Sequence, residues 1–247
     1  MNATVNARGC SVTVLDYRGY GGSDGSPTEQ GLLQDGAAAY AWLRSRQQGA
    51  GSGKGAASEK PALAGAASRK RRPVLWGESI GSGVAVGLLT DRSNTRGGAS
   101  GDGGGKDACE HGGGGVGGEG GEGNTPVAND GAMLVLEAGF TSCVDLGASA
   151  YPWLPVRLGM LDRYESEQRA KRMGEEGGTG VPTLSLHGTL DDIAPIELGR
   201  RLFEALPSPR KRFVELEGTG HNDVAYKDPV RYLKEAAKFL SEEWPRS

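Results

Sequence analysis

Apolar residues along this chain fall into two patterns, short unbroken runs and wider-spaced stripes. Ser11–Asp16 (SVTVLD) is a β-branched run and predicts a buried strand. Four further runs predict strands: Pro73–Gly77 (PVLWG), Ala132–Glu137 (AMLVLE), Val181–His187 (VPTLSLH) and Arg212–Leu216 (RFVEL). The stripes predict helices. Leu32, Leu33, Ala37, Tyr40 and Leu43 share one helical face. That helix is expected to start at Ser26-Pro27-Thr28-Glu29, with Ser as N-cap, Pro at the first helical position and Glu closing a capping box. Gly81–Thr90 reads as a small-residue helix, and Pro195–Leu206 and Pro229–Leu240 read as two more. Strand and helix alternate, so the fold class is α/β, a mostly parallel sheet with right-handed crossovers and helices on both faces. In such sheets chemistry gathers at the carboxyl ends of the strands.

Two segments break the pattern. Arg44 to Arg72 holds eight Lys/Arg against one acid, Glu59. Asp91 to Asp130 holds 15 Gly in 40 residues, with seven acids against three bases. Neither can bury enough apolar surface to offset its chain entropy. Both are expected to be disordered insertions, over about 46–72 and 91–130, in a single domain spanning residues 1–247. The Arg69–Arg72 run reads as a solvated loop end rather than a nuclear-import or anionic-lipid patch.

Composition narrows the function classes. Gly supplies 43 of 247 residues with no period of three, which excludes a collagen helix. No apolar run reaches the ~18 residues of a membrane span. A net charge of −3 argues against a nucleic-acid binder. Three Cys, an odd number with no zinc spacing, fit a reduced intracellular protein and no metal site.

The second strand run ends in Gly77-Glu78-Ser79-Ile80-Gly81, a G-x-S-x-G between strand and helix. In that setting the turn is sharp, the Ser79 hydroxyl is exposed, and the Ile80 amide heads a helix as an oxyanion donor. A serine needs a base, and there are three His. His111 lies in the Gly-rich insertion beside Cys109, and two ligands do not make a metal site. His187, before a Gly at a strand end, reads as structural. His221, on the loop Glu217–Asp223 past the last strand, is the base by position and elimination. Asp191 and Asp192 follow the fourth strand and are both candidates for the orienting acid. The chain order Ser, Asp, His is that of an α/β-hydrolase.

Taken together, these stretches resemble the α/β-hydrolase superfamily, in particular the ABHD-type serine hydrolases. The matching stretches are Leu15–Ser23 (LDYRGYGGS), Gly77–Gly83 (GESIGSG), Glu137–Ser142 (EAGFTS), Tyr151–Leu158 (YPWLPVRL), His187–Pro195 (HGTLDDIAP) and Gly218–Asp223 (GTGHND). The resemblance implies Ser79 as nucleophile, His221 as base and Asp191, four residues before the Pro, as acid. It places a small cap from Phe140 to about Met173, where Tyr151, Trp153, Leu154, Leu158 and Met160 could line an acyl pocket or be ordinary core. It implies an ester or thioester hydrolase without cofactor, acting on lysophospholipids, monoacylglycerols or S-acyl proteins, with peripheral membrane contact and a cytoplasmic or membrane-associated location.

The resemblance also implies strands ahead of the DYRGYG strand, one ending in a loop that supplies the second oxyanion amide. Ten residues precede the first strand here. The expected sheet is therefore N-terminally incomplete, in a fragment of a longer chain, unless the two facing edges pair directly. A missing strand forfeits on the order of ten ladder bonds at ~0.5–1.5 kcal/mol each. A missing oxyanion donor costs about 10²–10³ in turnover. The alternative function is a non-catalytic remnant acting as a binding module.

Overall fold

A computed structural model describes residues 3–7, 10–49, 72–90, 131–176 and 180–244. The elements run β1 (Ala3–Ala7), β2 (Cys10–Val14), α1 (Glu29–Gly49), β3 (Val74–Glu78), α2 (Ile80–Thr90) and β4 (Met133–Glu137). They continue with α3 (Cys143–Ala150), α4 (Val156–Gly159), α5 (Ser166–Glu175), β5 (Thr183–Gly188), α6 (Ile196–Ala205), β6 (Lys211–Leu216) and α7 (Pro229–Glu243).

Strands β3, β4, β5 and β6 form a parallel sheet in chain order. Alternation of side chains splits its two faces. Leu134 and Leu136 pack with Tyr40 of α1, Val86 and Leu89 of α2, Ala170 of α5 and Leu202 of α6. Met133, Val135, Leu184, Leu186, Val214 and Leu216 pack with Ala236 and Phe239 of α7. Helices therefore cover both faces, and every position of β4 is buried.

The Ser11–Asp16 expectation needs correction. The strand exists as β2, but Val12 and Val14 are more than half exposed. Among the described residues its partner is β1, in an antiparallel pair that leaves the β3 edge without a neighbour. Among the described residues no further strand pairs with β2, so its β-branched run has little to bury against.

Two further expectations shift. Helix α1 is capped by Thr28, whose Oγ1 accepts from Gly31 N at 3.1 Å. Ser26 and Pro27 lie in the loop before it, where Pro27 packs against Gly19. Glu29 closes no capping box. Its carboxylate instead accepts from the backbone N–H of Arg163 and Tyr164, at 2.8 and 3.0 Å, and from Arg169 at 2.8 Å. Asp162 accepts from Glu29 N in return, at 2.7 Å, which ties the 160s segment to the start of α1. At its other end α1 runs on to Gly49, so the first residues of the expected basic insertion are helical. Arg and Gln are good helix formers, and the Arg46 guanidinium stacks 4.4 Å from the Trp42 ring centre. The rest of that insertion up to Arg71, the whole of 91–130 and with it Cys109 and His111 lie outside the described residues.

Candidate active site

The strand β3 to helix α2 turn is held by close backbone approach. A Cβ on Gly77 would lie 2.3 Å from the Gly81 carbonyl oxygen, so this position admits only glycine. Ser79 sits at φ +50, a left-handed conformation that costs a non-glycine residue about 1–3 kcal/mol. Its N–H donates to the Glu137 carbonyl at the end of β4, at 2.9 Å, and Ser82 N and Oγ both donate to its own carbonyl. These bonds hold the strained residue at the rim of the sheet. Ile80 opens α2, where a first-turn N–H has no intrahelical acceptor.

Asp191 and His221 come from the loops after β5 and β6. Those loops are zipped together: Leu190 N donates to Thr219 O at 2.9 Å, Thr189 N to Leu216 O at 3.1 Å, and Gly218 N to Thr189 Oγ1 at 2.8 Å. A Cβ on Gly188 would lie 2.3 Å from Thr219 O, so glycine permits the approach.

The result is a continuous hydrogen-bonded chain. Ser79 Oγ lies 2.9 Å from His221 Nε2, and His221 Nδ1 lies 2.8 and 3.0 Å from the two Asp191 oxygens. Asp191 also accepts from the N–H of Ile193 at 3.1 Å and of Ala194 at 2.7 Å. Of the two acids that the sequence pattern leaves open, Asp191 is the one within hydrogen-bond distance of the imidazole, and Asp192 takes no part in the chain. The hydrogen bond to Asp191 raises the His221 pKa above 6.5; burial opposes, and the charges of Asp191, Glu78 and Asp192 add to the rise. Burial would raise the Asp191 carboxyl, but bonds from His187, His221 and Ala194 outweigh it and hold it well below the carboxylate range.

Two residues next to this chain are not singled out for the site by the sequence pattern. Glu137 is buried at the end of β4, and its carboxylate accepts from Trp76 Nε1 and from the Tyr232 hydroxyl. Burial raises its pKa, those two bonds pull it down, and the charge of Glu78 adds to the rise. Its signal in the sequence is an acid ending an otherwise apolar strand, but its partners lie 61 and 95 residues away. His187, which reads as structural from the sequence, lies within 3.4 Å of Asp191.

Tyr151, Trp153, Leu154 and Leu158 are exposed, which removes the core reading. Leu158 lies on the one-turn α4, and Leu161 just beyond it is 92 % exposed.

No family model matches the chain. An uncharacterised protein of Mycobacterium tuberculosis is 34 % identical over 234 residues, covering 95 % of this chain and 61 % of its own length. Protein bem46 of Schizosaccharomyces pombe is 26 % identical, covering 96 % of this chain and 60 % of its own. Lysophosphatidylserine lipase ABHD12 of Danio rerio is 25 % identical, covering 81 % and 40 %. The chain thus spans between 40 % and 61 % of the length of these relatives. Among solved structures, Thermogutta terrifontis esterase 2 phosphoramylated by tabun shares the fold, with TM-score 0.58 at 18 % identity over 97 % of this chain and 75 % of that one. The chain has the α/β-hydrolase fold, and its sequence is similar to ABHD-type members of that superfamily.

Proposed function

We propose that the chain is a serine hydrolase of acyl esters or thioesters. The observation that carries this reading is the hydrogen-bonded chain from Ser79 through His221 to Asp191. Ser79 Oγ donates its proton to His221 Nε2 as it attacks the acyl carbonyl carbon. The Ile80 N–H, with the α2 dipole behind it, stabilises the oxyanion. The imidazolium then protonates the leaving alcohol or thiol, an acyl-enzyme remains on Ser79, and a water activated by His221 releases the acid. Asp191 accepts from His221 Nδ1–H, which keeps Nε2 free as the base and stabilises the imidazolium.

The proposed substrate class is lipid, lysophospholipid or S-acyl protein. One relative's name, lysophosphatidylserine lipase, supports the lipid choice. The exposed Tyr151, Trp153, Leu154 and Leu158 suit contact with an acyl chain or a lipid surface. An intact proton relay favours the enzyme over the binding-module alternative. The test is turnover of p-nitrophenyl acyl esters, acyl-thioesters and lysophosphatidylserine by the wild-type chain and by Ser79→Ala. Ser79-dependent turnover supports the reading, and turnover equal in both proteins contradicts it.

A further inference from the structure

His187 is fully buried, yet the proposed mechanism gives it no task. Its Nε2 lies 2.8 Å from the Ala194 carbonyl and 3.4 Å from Asp191 Oδ2. A carbonyl and a carboxylate only accept, so Nε2 carries the hydrogen. The other ring nitrogen, Nδ1, is buried with no partner among the described residues. Leaving a buried polar atom unpaired has a cost, and an apolar ring of similar size would avoid it. The Nε2–H, which faces both Ala194 O and Asp191, is therefore what distinguishes this imidazole. The ring cannot turn away from these partners. It stacks on Phe213 with centroids 6.2 Å apart, and α6 presses on it at Gly199, where a Cβ would lie 2.3 Å from Nδ1.

We propose that His187 is a positioning residue of the active site: its Nε2–H, held mainly by Ala194 O and shared with Asp191, fixes the 191–194 turn so that Asp191 meets His221. The proposal rests on the hydrolase reading above. The turn folds around Asp191 Oδ1, which accepts the amides of Ile193 and Ala194. Anchoring Ala194 O from the opposite side stops that turn from rotating. Asp191 Oδ2 then stays directed at His221 Nδ1, 2.8 Å away. Two imidazoles thus share one carboxylate, one on the strand side holding it still and one at the rim using it.

The test compares His187→Phe, which keeps an aromatic ring, somewhat larger, without the donor, with His187→Gln, whose side-chain amide can still donate. Turnover is counted per Ser79 labelled by a fluorophosphonate, so unfolded molecules drop out. His187→Phe should lower kcat roughly ten- to a hundredfold with KM little changed, as small misplacements of catalytic groups do. The acid limb of its pH profile should move to lower pH, because His221 loses its partner while Glu78 and Asp192 still face it. His187→Gln should recover most of kcat and the wild-type limb. A Phe variant that melts earlier but keeps kcat per labelled site and the same acid limb overturns the proposal. If that variant does not fold, His187→Asn, whose shorter amide falls short of Ala194 O, takes its place. NMR titration of the His221 ring reads the same coupling without turnover: a lower midpoint supports the proposal, and an unchanged one overturns it. Absence of Ser79 labelling in the wild type would instead sink the hydrolase reading and leave the titration to judge His187.

Discussion

The β3–β6 sheet and the β1–β2 pair are both made of short strands containing β-branched or apolar runs, and they differ in what lies beside and over those runs. In the first, β4 has a strand on either side and helices over both faces, and all of it is buried. In the second, β2 has β1 for a partner, and its Val12 and Val14 face solvent. A β-branched run becomes core only where the topology supplies neighbours. The consequence for the site is direct, since Ser79, Asp191 and His221 all hang from strands of the buried sheet.

The largest effect should come at the rim. Asp191→Asn should lower kcat by about 10³–10⁴-fold, through loss of the correct His221 tautomer, while leaving the fold intact. Steady-state kinetics check this, and a loss smaller than tenfold would detach Asp191 from the relay. Next in size is the core. Leu136→Ala should cost about 2–5 kcal/mol in urea unfolding, as expected for a buried leucine in a sheet closed on both faces. Val14→Ala in β2 should stay within about 0.5 kcal/mol. Equal costs at the two positions would erase the contrast between the sheets.

Smaller still is the pH response. In the proposed mechanism His221 must be neutral to accept the Ser79 proton, and Asp191 raises its pKa above the ordinary 6.5. The rate should therefore rise with pH through a midpoint above 6.5, and a midpoint at or below it would contradict the pairing. Stability follows the same pair. The raised His221 contributes fully below 6.5 and fades as pH climbs through its folded value. The lowered Asp191 contributes above 3.8 and fades as pH falls below it. The melting-temperature gap between wild type and Asp191→Asn should be widest between those two values.

Much of this is legible in the chain itself. The strands of the buried sheet are short apolar runs bounded by Gly or Pro, and each recurs in the structure within a residue or two. Ser79 and His221 stand out because each follows such a run, whereas the same position leaves Asp191 and Asp192 level and only the family resemblance separates them. The start of α1 is harder to read because Ser-Pro and Thr-Glu both make plausible caps, and Glu29 is claimed by partners more than 130 residues away. Helix α5 has little apolar periodicity to read, with Ala170 and Met173 its buried apolar residues. The exposure of Val12 depends on which strand lies beside it, and no local pattern encodes that. Glu137 and His187 illustrate the same limit, since their roles come from long-range partners and ring orientation.

The most direct test of the central claim is covalent. A fluorophosphonate incubated with the wild-type chain should attach to one residue, Ser79, as located by mass spectrometry of the digested protein. His221→Ala should slow that attachment by orders of magnitude. Labelling that persists in Ser79→Ala, or that ignores the loss of His221, would contradict the proposed relay.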